Sequence, residues 1–177
     1  MRDQEVRIFY ALWPDAMTRR KIQRVYDGVG PLKGVGRPVR LQNLHMTLHF
    51  IGNVAESMLP CYLRAGDAVR VSPFTLKLNS CGGFANARVS WLGCHVFPLQ
   101  LSQLHEQLGR QLVDCGFAVE NRPFRPHVTM ARKVRGEIAR QGIETIRWPV
   151  ERFVLLQSEP VEGGVRYRVR HSWPLAG

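Results

Sequence analysis

Long apolar runs are missing from this 177-residue chain: no stretch of eighteen or more apolar residues occurs, so no membrane-spanning helix is expected. The opening Met1-Arg2-Asp3-Gln4-Glu5 lacks the hydrophobic stretch and cleavage site of a secretory signal, and the cytoplasm is the expected location. Cysteine is sparse. Cys61, Cys81, Cys94 and Cys115 form no CxxC pair, which argues against zinc ribbons and thioredoxin-like chemistry. In their mostly apolar contexts they are expected to be buried, reduced thiols. Acid is scarce too: 14 Asp and Glu stand against 25 Lys and Arg, a net charge of +11. Such an excess attracts polyanions and speeds their arrival, so a nucleic acid becomes a natural partner. Apolar residues at 45% and charged residues at 22% are the composition of a folded domain rather than a disordered chain.

What is present is one tetrapeptide pattern, twice: His45-Met46-Thr47-Leu48 and His127-Val128-Thr129-Met130. Alternation of this kind marks a half-buried strand, and residues two apart on a strand share a face. Each copy therefore offers an imidazole and a hydroxyl together, with Met46 or Val128 turned into a core. Two such strands facing one another would gather two histidines and two threonines around one small anion. Histidine alone titrates near neutral pH, so a pair can hold one neutral base and one protonated acid. The threonine hydroxyls can donate to phosphoryl oxygens as charge builds there. Acid–base work on a phosphodiester follows, with no metal or cofactor required. A metallohydrolase built on His45, His49 and His127 is disfavoured, because neither motif strand holds Asp or Glu and no HExxH spacing occurs.

Around the motifs the chain alternates strand-like and helix-like stretches. Val6 to Trp13 reads as a strand handing over at Pro14-Asp15 to a helix reaching about Gly28, with Arg19, Arg20, Lys21 and Arg24 on its outer side. A second helix is expected from about Glu56 to Val69. Phe74 to Leu78 and Arg88 to Leu92 read as a hairpin. The clearest helix follows Pro98, with Leu101, Leu104, Leu108, Leu112 and Cys115 in one stripe and Gly116 at its cap. Glu137 to Ile146 shows no firm period and reads as a loop with a short helical turn. Phe153 to Ser158 and Val165 to Trp173 close the chain as strands. The two groups of elements carry one motif each and no linker separates them, so residues 1–177 are expected to form a single bilobal α+β domain, active as a monomer.

The stretches Asn43-Leu44-His45-Met46-Thr47-Leu48-His49-Phe50-Ile51-Gly52 and Pro123-Phe124-Arg125-Pro126-His127-Val128-Thr129-Met130-Ala131-Arg132 resemble the two motifs of the two-histidine (2H) phosphoesterase superfamily, specifically its RNA 2′,3′-cyclic phosphodiesterases, also called 2′–5′ RNA ligase-like proteins. Arg7 to Leu12, Arg88 to Gly93 and Tyr167 to Leu175 support the resemblance, which covers nearly the whole chain. It implies a pseudo-two-fold, bilobal fold of two antiparallel sheets facing a central cleft, with helices on the outer faces. It implies metal-free hydrolysis of 2′,3′-cyclic phosphate RNA ends, or of cyclic nucleotides, to 2′-phosphates. The catalytic pair carries onto His45 and His127, the phosphate-binding hydroxyls onto Thr47 and Thr129, a phosphate-binding arginine onto Arg132, and a base-stacking aromatic onto Phe9. The same residues serve the reverse reaction, 2′–5′ RNA ligation. A non-catalytic RNA-end binding module is the reading from a different class.

Several placements stay open at this level. Arg132 has the opposite strand parity to His127 and can reach a shared site only if the strand bends or bulges near Ala131. His49 shares parity with His45 and so either faces the cleft or sits solvent-side at the strand end. Arg125 matches His127 in parity across Pro126. His105 is expected at the boundary of its helix. His45 has no Arg or Lys within four residues, whereas Arg125 and Arg132 flank His127. This favours His45 as the acid and His127 as the neutral base.

Overall fold

The computed structural model describes residues 4–177. Strand β1 (Glu5–Leu12) runs through Trp13-Pro14 into helix α1 (Ala16–Gly28), and the Asp15 carboxylate caps that helix by accepting the Thr18 N–H at 2.6 Å. Then come β2 (Arg37–Pro38), β3 (Met46–Ala55), α2 (Leu59–Asp67), β4 (Phe74–Phe84), β5 (Val89–Gly93) and α3 (Leu99–Val113). The chain closes with β6 (His127–Arg132), β7 (Gln141–Val150), β8 (Arg152–Val161) and β9 (Gly164–Pro174). The expected helices and motif strands form. The stretch from Glu137 differs: it enters β7, which pairs along β4 from Phe74↔Val150 to Cys81↔Gln141. As an outer strand of the sheet, β7 buries only part of one face, so its apolar period was too faint to read.

The strands form one antiparallel sheet in the order β7-β4-β5-β6-β3-β1-β8-β9, with β2 alongside β6. Its middle is narrow: β3 and β6 share the register pair Met46↔Val128. Two four-stranded halves meet there, and the motif strands lie side by side at the join. The helices cross the seam. Helix α1, which follows β1 of one half, packs against β7 of the other, and α3, which follows β5, packs against β3.

Side-chain periodicity explains which face is covered. Val6, Ile8, Tyr10 and Leu12 of β1 point to the helices, where they meet Ile22 and Tyr26 of α1, Leu59 and Tyr62 of α2, and the leucine stripe of α3. Phe9 and Ala11 point to the opposite face and pack with Val154, Leu156, Trp13 and Tyr167. That opposite face carries the motif side chains. Among the described residues no helix is long and apolar enough to cross a membrane.

Two of the four thiols depart from expectation. Cys61 of α2 and Cys115, just past α3, are joined in a disulfide, while Cys81 and Cys94 are free and buried. The partners are 54 positions apart, and only the side-by-side packing of α2 and α3 brings them together.

Trp173 of β9 lies flat against Gly66 of α2, and its indole N–H donates to Asp67 Oδ1 at 2.7 Å. A Cβ on Gly66 would fall 2.3 Å from Trp173 Cζ2. Replacing a helix-interior glycine by alanine gains about 1 kcal/mol of helix propensity, and a last-turn glycine such as Gly66 gains at most that. Here overpacking against a buried ring costs about 1–3 kcal/mol, so the clash outweighs the gain. Gly66→Ala should lower the urea midpoint despite the better helix former; a raised midpoint would show that Trp173 slides aside freely.

Candidate active site

His45 ends the turn into β3, and His127 begins β6. Each imidazole is held by the same device. His45 Nδ1–H donates to the Asn43 carbonyl and His127 Nδ1–H to the Arg125 carbonyl, both at 2.7 Å. A carbonyl can only accept, so the proton of the neutral ring sits on Nδ1 and the Nε2 lone pair is left for chemistry. The Asn43 side chain in turn donates to the Val165 carbonyl of β9 at 2.9 Å, which ties the first turn to the far side of the sheet.

The pair Met46↔Val128 fixes the rest. In an antiparallel ladder this register sets Thr129 opposite His45 and Thr47 opposite His127, on the face away from the helices. The Thr47 hydroxyl donates to His45 Nε2 at 3.1 Å. Two imidazoles and two hydroxyls thus form one compact group.

Bulges settle the parity questions. Along β5 and β6 the register passes from Trp91↔Thr129 to Ser90↔Ala131, stepping over Met130. Met130 and Ala131 are consequently both buried, and Arg132 returns to the face of His127 and Thr129. Its positive charge is felt by both imidazoles. Along β1 and β3 the register steps over Leu48, from Ala11↔Thr47 to Tyr10↔His49. This turns His49 away from the site. It is 6% exposed, its Nε2 bonds the His105 carbonyl at 2.8 Å, and its ring stacks on His105, which stacks in turn on Phe124. A cleft position for His49 is therefore corrected, and His105 is the middle of a three-ring stack rather than a simple boundary residue. Phe50 takes the outward place and is 47% exposed, with the Arg7 guanidinium 4.9 Å from its ring centroid.

Phe9 also needs correction. It is 3% exposed, packed 5.0 Å from the His45 ring and 4.9 Å from Tyr167, so it supports His45 from beneath and has no free face for a base. Arg125 reaches the site through its carbonyl, while its side chain is exposed. The residues that sequence reasoning missed are aromatic and cationic neighbours. Tyr167 stands edge-on to His45 at 5.1 Å and Phe84 edge-on to His127 at 5.0 Å. Trp13 lies 6.4 Å from His45 and carries the Arg19 guanidinium 4.2 Å over its ring. Arg19 was placed on the outer side of its helix; it is half-buried instead, because α1 starts immediately beyond Trp13 and its first turn lies against that ring.

Burial pushes the His45 pKa down to about 4, and the positive charges of Arg132, His127 and Arg19 add to this against the bond to Asn43. His127 is lowered as well, first by burial and then by Arg132, against the bond to Arg125. The premise that His45 is the less crowded imidazole therefore fails in space. Arg132 and Arg19 are distant in sequence and near in the fold.

The comparisons fit this geometry. The family model of the 2′-5′ RNA ligase superfamily matches residues 13–162. An RNA 2′,3′-cyclic phosphodiesterase of Escherichia coli (strain K12) is 38% identical over 143 residues, covering 79% of this chain and 80% of the relative. One from Thermus thermophilus is 31% identical over 185 residues, covering 97% and 91%. A crystal structure of E. coli LigT complexed with 3′-AMP superposes with a TM-score of 0.88 at 31% identity, over 98% of this chain and all of the other. With both motifs inside the matched residues, the chain belongs to the 2′-5′ RNA ligase superfamily.

Proposed function

We propose that this protein hydrolyses 2′,3′-cyclic phosphate ends of RNA to 2′-phosphates, with one histidine as base and the other as acid and without a metal. The observation that carries the reading is the set of two imidazoles, both with Nδ1 anchored, flanked by Thr47 and Thr129 and sharing the charge of Arg132. Water attacks phosphorus as the base takes its proton, the bond from phosphorus to the 3′-oxygen breaks, and the acid protonates that oxygen. Thr47, Thr129 and Arg132 meet the non-bridging oxygens, where charge accumulates. Relatives and neighbours support the substrate class: two relatives carry the name RNA 2′,3′-cyclic phosphodiesterase, and the E. coli structure was solved with 3′-AMP. His49, the third ligand of the metallohydrolase alternative, lies on the other face of the sheet, which removes that ligand set.

The arginines of β9 add less to an RNA track than their number suggests. Arg166 pairs with Glu159 at 2.7 Å, Arg168 approaches the same carboxylate at 3.9 Å, and Arg170 pairs with Glu56 at 3.2 Å. Phosphate contacts fall instead to the cations at the site.

The roles follow from what lies beside each imidazole. Trp13, Tyr167 and Arg19 cluster at His45, a surface suited to a nucleoside, so the ribose and its departing oxygen belong on that side. His45 is then the acid and His127 the base. An acid must be protonated when it acts, so this allocation requires the anionic phosphate to lift His45 from its low value in the empty site.

Three outcomes test the reading. His45→Ala and His127→Ala should each slow turnover of a 2′,3′-cyclic nucleotide by at least about 10²-fold, assayed in excess chelator with 2′-phosphate as the product, while binding survives better than turnover. Near-wild-type turnover in either variant would remove that imidazole from the step, no turnover by the wild type would point to a binding module, and loss in chelator restored by a divalent metal would overturn the metal-free step. The pH profile of kcat/KM reports the free enzyme. Because both imidazoles are lowered, its bell should centre below the ordinary histidine value of 6.5. Arg132→Met removes a charge that lowers both, so both limbs should move to higher pH as the rate falls; an unmoved profile would place Arg132 away from the pair. With a far better leaving group, His45→Ala should recover most of its rate while His127→Ala stays slow. The opposite pattern reverses the roles.

A further inference from the structure

Arg19 is an arginine beside His45 that the hydrolytic step above does not use. It lies one turn into α1, with its flat face 4.2 Å over Trp13. Trp13 follows directly on Leu12, the partner of Met46, so the strand register carries it to a position opposite His45. Arg19 Nε and Nη2 are shut off from solvent and have no acceptor among the described residues. Asp15, whose charge acts on Arg19, has its Oδ1 committed to capping α1. The ion-paired arginines of β9 are the contrast. Two buried guanidinium nitrogens whose donors go unmet cost free energy in the empty protein, and a planar fork of this kind matches phosphate geometry. Trp13 stands 6.4 Å from the His45 ring and bears Arg19 on its own ring, whereas the aromatic neighbour of His127 is Phe84, so Arg19 lies on the His45 side of the pair. The anion it awaits therefore lies to one side of the scissile phosphate. The Trp13 ring stands between Arg19, 4.2 Å from its centroid, and His45, 6.4 Å away, which leaves room for a nucleoside between two phosphates.

We propose that Trp13 and Arg19 form a second anion subsite beside His45, one that takes the 5′-phosphate of the terminal nucleotide and so favours RNA ends over cyclic mononucleotides. Trp13 offers its indole to the ribose or base, and Arg19 turns from the ring to the phosphodiester that joins the terminal nucleotide to the rest of the chain. This rests on the cyclic-phosphate reading, which sets the scissile phosphate between the histidines.

The test reads binding, so it stands apart from turnover. Affinities for adenosine 3′-phosphate and adenosine 3′,5′-bisphosphate are measured by calorimetry for the wild type, Arg19→Met and Arg20→Met. Arg20 is the exposed neighbour on the same helix. The wild type should bind the bisphosphate at least about tenfold more tightly, the scale of one charge-assisted contact. That ratio should collapse towards one in R19M and persist in R20M. Arg19→Gln, which keeps donors without charge, serves if R19M does not fold, and should lose most of the ratio as well. Equal affinities in the wild type, a ratio untouched by either Arg19 variant, or an equal loss for both ligands would each overturn the subsite. A ratio that behaves as expected in a protein that hydrolyses no cyclic phosphate would leave the subsite standing and sink the catalytic reading instead.

Discussion

The Met46–Val128 bridge is the contact on which the site depends. Both residues are fully buried, and between them they set the lateral register of the two motif strands. A slip of one residue would turn every side chain of one strand to the other face, leaving one histidine in the core and the other alone at the surface. Little hydrogen bonding holds this seam directly. The register is secured from behind, where α1 and α3 each lie across to the half that did not supply them. The apolar stripe of α3, with Leu101, Leu104, Leu108 and Leu112 fully buried, belongs to the same core as Met46 and Val128. Packing of a helix layer thus fixes the geometry of groups that lie on the opposite face of the sheet.

Much of this was legible in the chain. The His-x-Thr alternation identified the two strands and the face each presents, and the leucine stripe after Pro98 identified α3. The parity of Arg132 marked a bend or bulge near Ala131 as the condition for it to reach the site, but whether and where the strands depart from regular period could not be read. Leu48 and Met130 look like ordinary members of an alternating strand, yet each is the residue stepped over in a bulge. One bulge brings Arg132 to the site and the other removes His49. No residue type at those positions announces the irregularity, because it arises from how neighbouring strands fit together. Nor could spacing reveal that Phe9 lies beneath Tyr167 and His45, that Arg19 comes near His45, or that Cys61 meets Cys115. These are long-range contacts.

The electrostatics follow from the same crowding. Positive charge and burial together keep both imidazoles in their neutral forms when the site is empty. A phosphate entering such a site meets hydrogen-bond donors and a guanidinium, and its negative charge favours proton uptake by the histidines it touches. Neutral rings spare the empty protein a buried imidazolium.

One feature of the histidine anchors reaches beyond chemistry. Both Nδ1 atoms are held by main-chain carbonyls, those of Asn43 and Arg125. A catalytic histidine oriented by an aspartate loses its orienter to a single codon change. A peptide carbonyl cannot be mutated away, whatever side chain stands above it. So long as the turns before β3 and β6 keep their shape, the residues in them are free to drift. The pointing of the imidazoles is thereby inherited with the backbone, and selection on the neighbouring side chains is released for other ends.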